Sequence, residues 1–185
     1  MEKTILQIPE LDTERLKLRG ITPEDAGDIF EYASIPEISK YLVWHPHKTI
    51  QDTIDFVQLA ERMFENREWI VLGIELKEKK KIIGTIDIRG WKSVHRCAEI
   101  GYVLSKEYWK KGITTEALSA VIQYCFDLLK LNRVEAHCED DNTGSWHVME
   151  KCGMKYEGTL RQRVFIKDRY RSMKMYSILI SEYSK

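Results

Sequence analysis

One glycine, set behind two lysines and ahead of a long amphipathic run, constrains this chain more than any other feature. The stretch Trp109-Lys110-Lys111-Gly112-Ile113-Thr114-Thr115-Glu116-Ala117 is a basic turn, and apolar residues fall at Ile113, Ala117, Leu118, Val121, Ile122, Cys125, Leu128 and Leu129. That three-and-four spacing predicts a helix with one buried face. The turn then sits at a helix N-terminus, where free backbone N–H groups, the positive end of the macrodipole and two lysines would hold a phosphate or pyrophosphate. A plain strand-to-helix corner with solvated lysines fits the same residues.

At 185 residues the chain is long enough for one well-buried domain. Lys plus Arg equals Asp plus Glu at 29 each, so no overall basic field gathers nucleic acid. The opening residues Met1 to Pro9 lack the apolar core of a signal peptide, and no apolar run is long enough to span a bilayer. A cytoplasmic protein with no membrane partner is expected. Cys97, Cys125, Cys138 and Cys152 are widely separated with no C-x-x-C pair, which argues against a zinc clamp or a disulfide framework and for packing roles.

In chain order, Arg15 to Arg19 alternates as a half-buried strand, and Thr22-Pro23-Glu24-Asp25 starts a helix that runs to about Ala33. Pro36, Tyr41, Trp44 and His45-Pro46 mark an irregular connection to a second helix behind Thr49. Trp69–Leu76 and Ile82–Ile88 form a hairpin around the solvated tip Lys77-Glu78-Lys79-Lys80-Lys81. Cys97–Leu104 is the strand that delivers the chain into the basic turn, and Gly101 within it marks a bulge or a close approach. After the central helix come a strand at Arg133–Cys138, a cap at Asp141 to Ser145, a short helix to Lys151, and two strands turning at Lys167-Asp168-Arg169. This order predicts a single α/β (α+β) domain, residues 8–182, with a mixed sheet.

The strand-turn-helix from Glu99 to Ala117, with Asn142-x-x-Ser145 leading to Lys151-Cys152-Gly153-Met154, resembles the GNAT acyl-CoA N-acyltransferases. Within them it is most similar to the Rim-type branch that acetylates ribosomal-protein N-termini. The resemblance implies a mostly antiparallel sheet flanked by helices, with a splayed strand pair that binds acyl-CoA. It departs from the usual phosphate turn, Q/R-x-x-G-x-G/A, at Trp109 and at Thr114, whose β-branch narrows the approach while its hydroxyl could donate. Glu116 would repel a pyrophosphate and is expected to point away. A Walker P-loop is excluded, because G-x-x-x-x-G-K-[ST] is absent.

The resemblance implies that acetyl-CoA is the co-substrate, held by Tyr102, Val103, Leu104, Lys110, Lys111, Gly112, Ile113, Thr114, Thr115 and Asn142. Val103 and Leu104 would offer main-chain groups to pantetheine and to the oxyanion. Asn142 followed by Ser145 is equally what a helix cap looks like. Glu99 is expected to take the amine proton, directly or through water, against the alternative of a solvent-facing strand residue. Ser145 is expected to protonate the departing thiolate. No metal is implied: His45 and His47 lack companions at ligand spacing. Cys138 and Cys152 lack a legible base for a ping-pong route, and His137 and His147 read as packing or surface residues. Trp44, Trp91 and Tyr102 are aromatic candidates for the acceptor slot or the core. The resemblance implies the α-amine of a ribosomal-protein N-terminus as acceptor, with a small amine such as a polyamine or amino-sugar antibiotic as the alternative, and a non-catalytic acyl-CoA sensor is the reading from another class. Ser172 stands where an acidic residue is often found in this branch. An exposed terminal strand would offer a homodimer contact.

Overall fold

The structure, a computed structural model, describes residues 7–91 and 94–183. Residues 1–6, which include most of the stretch read above for a leader, lie outside the described residues. Among the described residues, eight strands form one sheet in the order β1-β2-β3-β4-β5-β6-β8-β7. They are β1 (Leu11–Asp12), β2 (Leu16–Gly20), β3 (Trp69–Leu76), β4 (Lys81–Arg89), β5 (Cys97–Leu104), β6 (Arg133–Glu139), β7 (Lys155–Ile166) and β8 (Arg169–Leu179). The helices are α1 (Ala26–Ala33), α2 (Ile50–Glu65), α3 (Ile113–Asp127) and α4 (Thr143–Lys151). The two-residue β1 carries no periodic signal and was not expected.

Local chemistry explains the boundaries. The Thr22 N–H donates to Asp25 Oδ2 at 2.8 Å, and Arg19 forks onto the same carboxylate at 2.8 Å through each of two nitrogens. A short 3-10 turn at Pro23–Asp25 results, and α1 follows it. At α2, the N–H groups of Lys48 and Thr49 donate to Asp52 Oδ2 at 2.7 and 2.9 Å. The central helix stops at Asp127, two residues short of the apolar run.

Side-chain alternation sorts the sheet into two faces. Ala98, Ile100 and Leu104 of β5 join the large core with Ala117, Leu118, Val121 and Ile122 of α3, and Tyr102 packs against it. Val103 packs instead with Ile29 and Tyr32 of α1 and Val57 of α2. Each fully buried leucine or isoleucine in these layers contributes about 1.5–3 kcal/mol. All neighbouring strands are antiparallel except β5 and β6. That parallel pair is short: Cys97, Ala98 and Glu99 face Arg133, Val134 and Glu135. Beyond Glu99 and Glu135 the strands part, and a wedge-shaped gap opens in the middle of the sheet.

Candidate active site

The gap has one wall in β5 from Ile100 to Leu104 and the other in β6 from Ala136 to Glu139. Ser105 N–H donates to the Ile83 carbonyl at 2.8 Å, and Thr85 lies opposite Val103. By the alternation of an antiparallel ladder, Gly101 and Val103 turn their main chains toward β4, while Tyr102 and Leu104 turn theirs into the gap. Val103, expected to leave its main chain free, is thus engaged with Thr85. The Leu104 carbonyl accepts from Trp109 Nε1 at 2.8 Å. By the same alternation, the gap-facing groups left open on this wall among the described residues are the Tyr102 N–H and C=O and the Leu104 N–H.

The basic turn leads from this wall into α3. Lys110 and Gly112 take left-handed φ values of 62° and 74°; glycine meets the second at no steric cost. The first helical bond runs from Glu116 N–H to the Gly112 carbonyl at 3.0 Å. The N–H groups of Ile113, Thr114 and Thr115 therefore have no partner among the described residues, the donor set a pyrophosphate takes. Glu116 does point away: Oε2 pairs with Arg15 Nε at 2.6 Å, and Oε1 accepts from Thr13 Oγ1 at 2.5 Å and Arg15 N–H at 2.9 Å. Burial would raise this carboxyl, but the contacts with Thr13 and Arg15 win and hold it below the usual glutamate range. Arg15 also donates to the Lys111 carbonyl at 2.9 Å, and a Cβ built on Gly112 would lie 3.5 Å from its Nη2. It is a cation of the turn that no local motif could reveal. Lys79 of the hairpin tip, read above as simply solvated, donates to Tyr108 Oη at 3.2 Å, and Lys111 lies 5.4 Å from the centre of the same ring.

On the α1–α2 face, Glu99 Oε2 lies 3.4 Å from His137 Nδ1. That hydrogen bond, against an opposing effect of burial, keeps the Glu99 carboxyl below its ordinary value. Asp87 is directly across from Gly101, and a Cβ there would come within 3.0 Å of Asp87 Oδ2. The close approach that Gly101 signals is therefore this carboxylate, which burial pushes up and Arg89 Nε meets at 2.8 Å.

On the α3–α4 face, Tyr102 Oη lies 2.9 Å from Ser145 Oγ and donates to the Ser145 carbonyl at 3.0 Å. Burial holds the phenol well above its usual range, so it stays protonated. Asn142 Oδ1 accepts from Ser145 N–H at 3.3 Å, capping α4. Cys138 is buried beside this group with its thiol pushed up to about 11 by desolvation, and burial raises the Cys152 thiol as well. Neither is a ready nucleophile at neutral pH.

The remaining candidates scatter. Trp44 packs on the α1–α2 face, Trp91 is buried in the large core, and Tyr102 belongs to the α4 side. His47 Nδ1 meets Thr53 Oγ1 at 2.7 Å, and His147 Nδ1 meets the Thr143 carbonyl at 2.8 Å. No group of three or more His, Cys, Asp or Glu that could hold a metal occurs among the described residues. Ser172 accepts the Asp140 N–H at its carbonyl at 3.3 Å, which ties β8 to the β6–α4 connection. Beside it, Arg171 and Glu139 form a buried ion pair. The long β7 is an outer strand of the sheet.

A parted β5–β6 pair above a basic helix N-terminus, with a carboxylate on one face and hydroxyls on the other, is the candidate site. Residues 15–155 match the acetyltransferase (GNAT) domain model, and the chain belongs to that family of N-acetyltransferases. It is 35% identical over 171 residues to the uncharacterized N-acetyltransferase YoaA of Bacillus subtilis, covering 92% of this chain and 97% of the relative. It is 29% identical over 174 residues to the putative ribosomal N-acetyltransferase YdaF of B. subtilis, with coverage of 92% and 94%. A GNAT-family acetyltransferase from Bacillus anthracis superposes with a TM-score of 0.83 at 29% identity, over 94% of this chain and all of that one (100%). The spermidine N-acetyltransferase of Vibrio cholerae, solved in complex with CoA and spermine, superposes with a TM-score of 0.79 at 25% identity, over 92% of this chain and 99% of that one.

Proposed function

We propose that this N-acetyltransferase moves the acetyl group of acetyl-CoA to the α-amine of a protein N-terminus, that of a ribosomal protein. The observation that carries the reading is the position of Glu99 and of the Tyr102–Ser145 hydroxyl pair on opposite faces of one gap. A thioester lying in that gap has a proton acceptor on the side the amine enters and proton donors on the side the sulfur leaves. The pyrophosphate would rest on the N–H groups of Ile113, Thr114 and Thr115, with Lys110, Lys111 and Arg15 supplying positive charge. Pantetheine amides would pair with the main chain of Tyr102 and Leu104.

The amine nitrogen attacks the thioester carbonyl carbon, a C–N bond forms, and the oxyanion is met by a gap-facing N–H of β5. Collapse breaks the C–S bond, and the thiolate takes its proton from Ser145, with Tyr102 behind it. The proton shed by the amine is received on the Glu99 side of the gap. An α-amine titrates near 8, so roughly a tenth is already neutral at pH 7 and a weak base is enough.

The acceptor assignment rests on charge balance. The carboxylates on strands β4, β5 and β6 each have a cationic or imidazole partner: Asp87 with Arg89, Glu99 with His137, Glu135 with Arg133, Glu139 with Arg171. That arrangement suits a single amine at the head of a peptide better than a polyamine, whose several charges call for surplus carboxylates. A small amine is the second reading, favoured by the likeness to a spermidine acetyltransferase.

The test is CoA thiol release by the purified protein with ribosomal-protein N-terminal peptides, spermidine and an aminoglycoside, alongside calorimetric CoA binding. Turnover on the peptides and a lower kcat in Ser145→Ala at unchanged CoA affinity are expected. Turnover on spermidine alone would transfer the assignment to the second reading. Tight CoA binding without turnover on any acceptor would favour a sensor.

A further inference from the structure

We propose that His137 is the group that takes the proton from the attacking amine, with Glu99 holding its imidazole in place. The proposal rests on acetyl transfer at the β5–β6 gap and gives the proton-accepting role at Glu99's side of it to the imidazole, which Glu99 orients. Three placements support it. His137 stands on β6 two residues past the last β5 pairing, Glu99 with Glu135, where β6 has lost its β5 neighbour. Its position is fixed on the other side by pairing with Met175 of β8. Its side chain crosses the mouth of the gap, with Nδ1 3.4 Å from Glu99 Oε2, and both side chains are about one third exposed at 32% and 34%.

The two ring nitrogens then have different tasks. Nδ1 is the nitrogen that faces Glu99, and the tautomer with its proton there leaves a lone pair on Nε2. Nε2 has no partner among the described residues and is the atom available to a proton donor arriving from the α1–α2 face. The same hydrogen bond makes Glu99 a poor base in its own right, since it keeps that carboxyl below its ordinary value. Asp87, another carboxylate on this face, is sealed at 8% exposure over Gly101 beneath Arg89. It shapes the field without meeting the acceptor.

The step balances as follows. The amine lone pair forms the C–N bond and the carbonyl π electrons move to oxygen. The ammonium proton passes to His137 Nε2 while Nδ1–H stays with Glu99. When the C=O bond re-forms, the C–S electrons leave on sulfur, which is protonated from Ser145. The proton gained by His137 and the one given by Ser145 are exchanged with solvent before the next cycle.

The experiment compares His137→Ala, His137→Gln, Glu99→Gln and the His137→Ala/Glu99→Gln double variant in full-length protein, using the acceptor on which the wild type turns over. CoA calorimetry on each variant controls for folding. His137→Ala and His137→Gln should lower kcat by about 100-fold or more with CoA affinity kept within about twofold. Glu99→Gln should cost about tenfold, and the double variant should be no slower than His137→Ala, because Glu99 acts through the imidazole. Added imidazole should restore turnover to His137→Ala and not to Glu99→Gln, a rescue that loss of a purely structural side chain would not show. Normal kcat in His137→Ala, or a larger loss in Glu99→Gln than in His137→Ala, would overturn the proposal and leave Glu99 acting on the amine itself. A wild type that binds CoA and releases no thiol with any acceptor would overturn the transferase reading and this proposal with it.

Discussion

Arg15 and Glu116 lie 101 residues apart in sequence and meet at the phosphate turn, so their charges should be read together in CoA binding. Arg15→Gln removes a guanidinium that holds Glu116 at 2.6 Å and the Lys111 carbonyl at 2.9 Å. It leaves an uncancelled carboxylate one turn inside the helix whose N-terminus would carry the pyrophosphate. Two unit charges 4 Å apart interact by about 1 kcal/mol in bulk water and about 4 kcal/mol at an effective dielectric near 20. The Arg15 side chain is 42% exposed, so the lower end applies and salt screens it further. The expected loss is roughly 1 kcal/mol, about fivefold in CoA affinity. Glu116→Gln should act in the opposite sense, tightening binding about two- to fivefold, and the double variant should return close to wild type. Calorimetric titration of CoA at low and high ionic strength measures all three, and both single effects should shrink as salt rises. If Arg15→Gln leaves affinity unchanged at low salt, or if the two single variants shift it in the same direction, the electrostatic account is wrong and the pair serves only to hold the β1–β2 turn against α3.

Three other expectations concern the scaffold. Glu139→Gln leaves the Arg171 guanidinium, 7% exposed, buried without a counter-charge, and urea unfolding should show a loss of about 3–5 kcal/mol that Glu139→Leu with Arg171→Met largely recovers. Burial would raise the Asp25 carboxyl, but the Arg19 fork and the Thr22 N–H hold it below the usual aspartate range. A depressed carboxyl contributes stability above its unfolded value near 3.9 and loses it as pH falls toward the folded value. The penalty of Asp25→Asn should therefore be present at pH 7 and shrink below about pH 4 in parallel urea titrations. Gly112→Ala places a Cβ at φ 74° with its nearest neighbour, Arg15 Nη2, at an ordinary 3.5 Å. Its cost should be the left-handed backbone alone, about 1–2 kcal/mol in a thermal melt, accompanied by weaker CoA binding.

Periodicity and capping residues were enough to anticipate most of the elements, because they report local energetics. The alternation from Leu16 to Arg19, the Thr22 and Thr49 caps and the run from Ile113 onward each specify a segment whose burial the fold then supplies. The two-residue β1 was illegible because it has no period to detect and exists only by pairing with β2. At the site, Gly112 and the helix start behind it were readable, and so was the tightness at Gly101, although its cause lies on another strand. Trp91 shows the limit: an aromatic residue in a loop does not say which side of a sheet will bury it.

By itself, then, the sequence determined the elements, their order and the helix N-terminus with its lysines, all properties of contiguous residues. Three things waited on tertiary structure. The parting of β5 and β6 after Glu99 and Glu135 depends on how two strands more than thirty residues apart pair, and alternation about that gap put Tyr102 with Ser145 on one face and Glu99 with His137 on the other. Arg15 reached Gly112 only through the β1–β2 turn, and Val103 lost its expected freedom because Thr85 sits across from it. Each is a relation between distant residues set by register and by the path of the sheet, which no local pattern in the chain encodes.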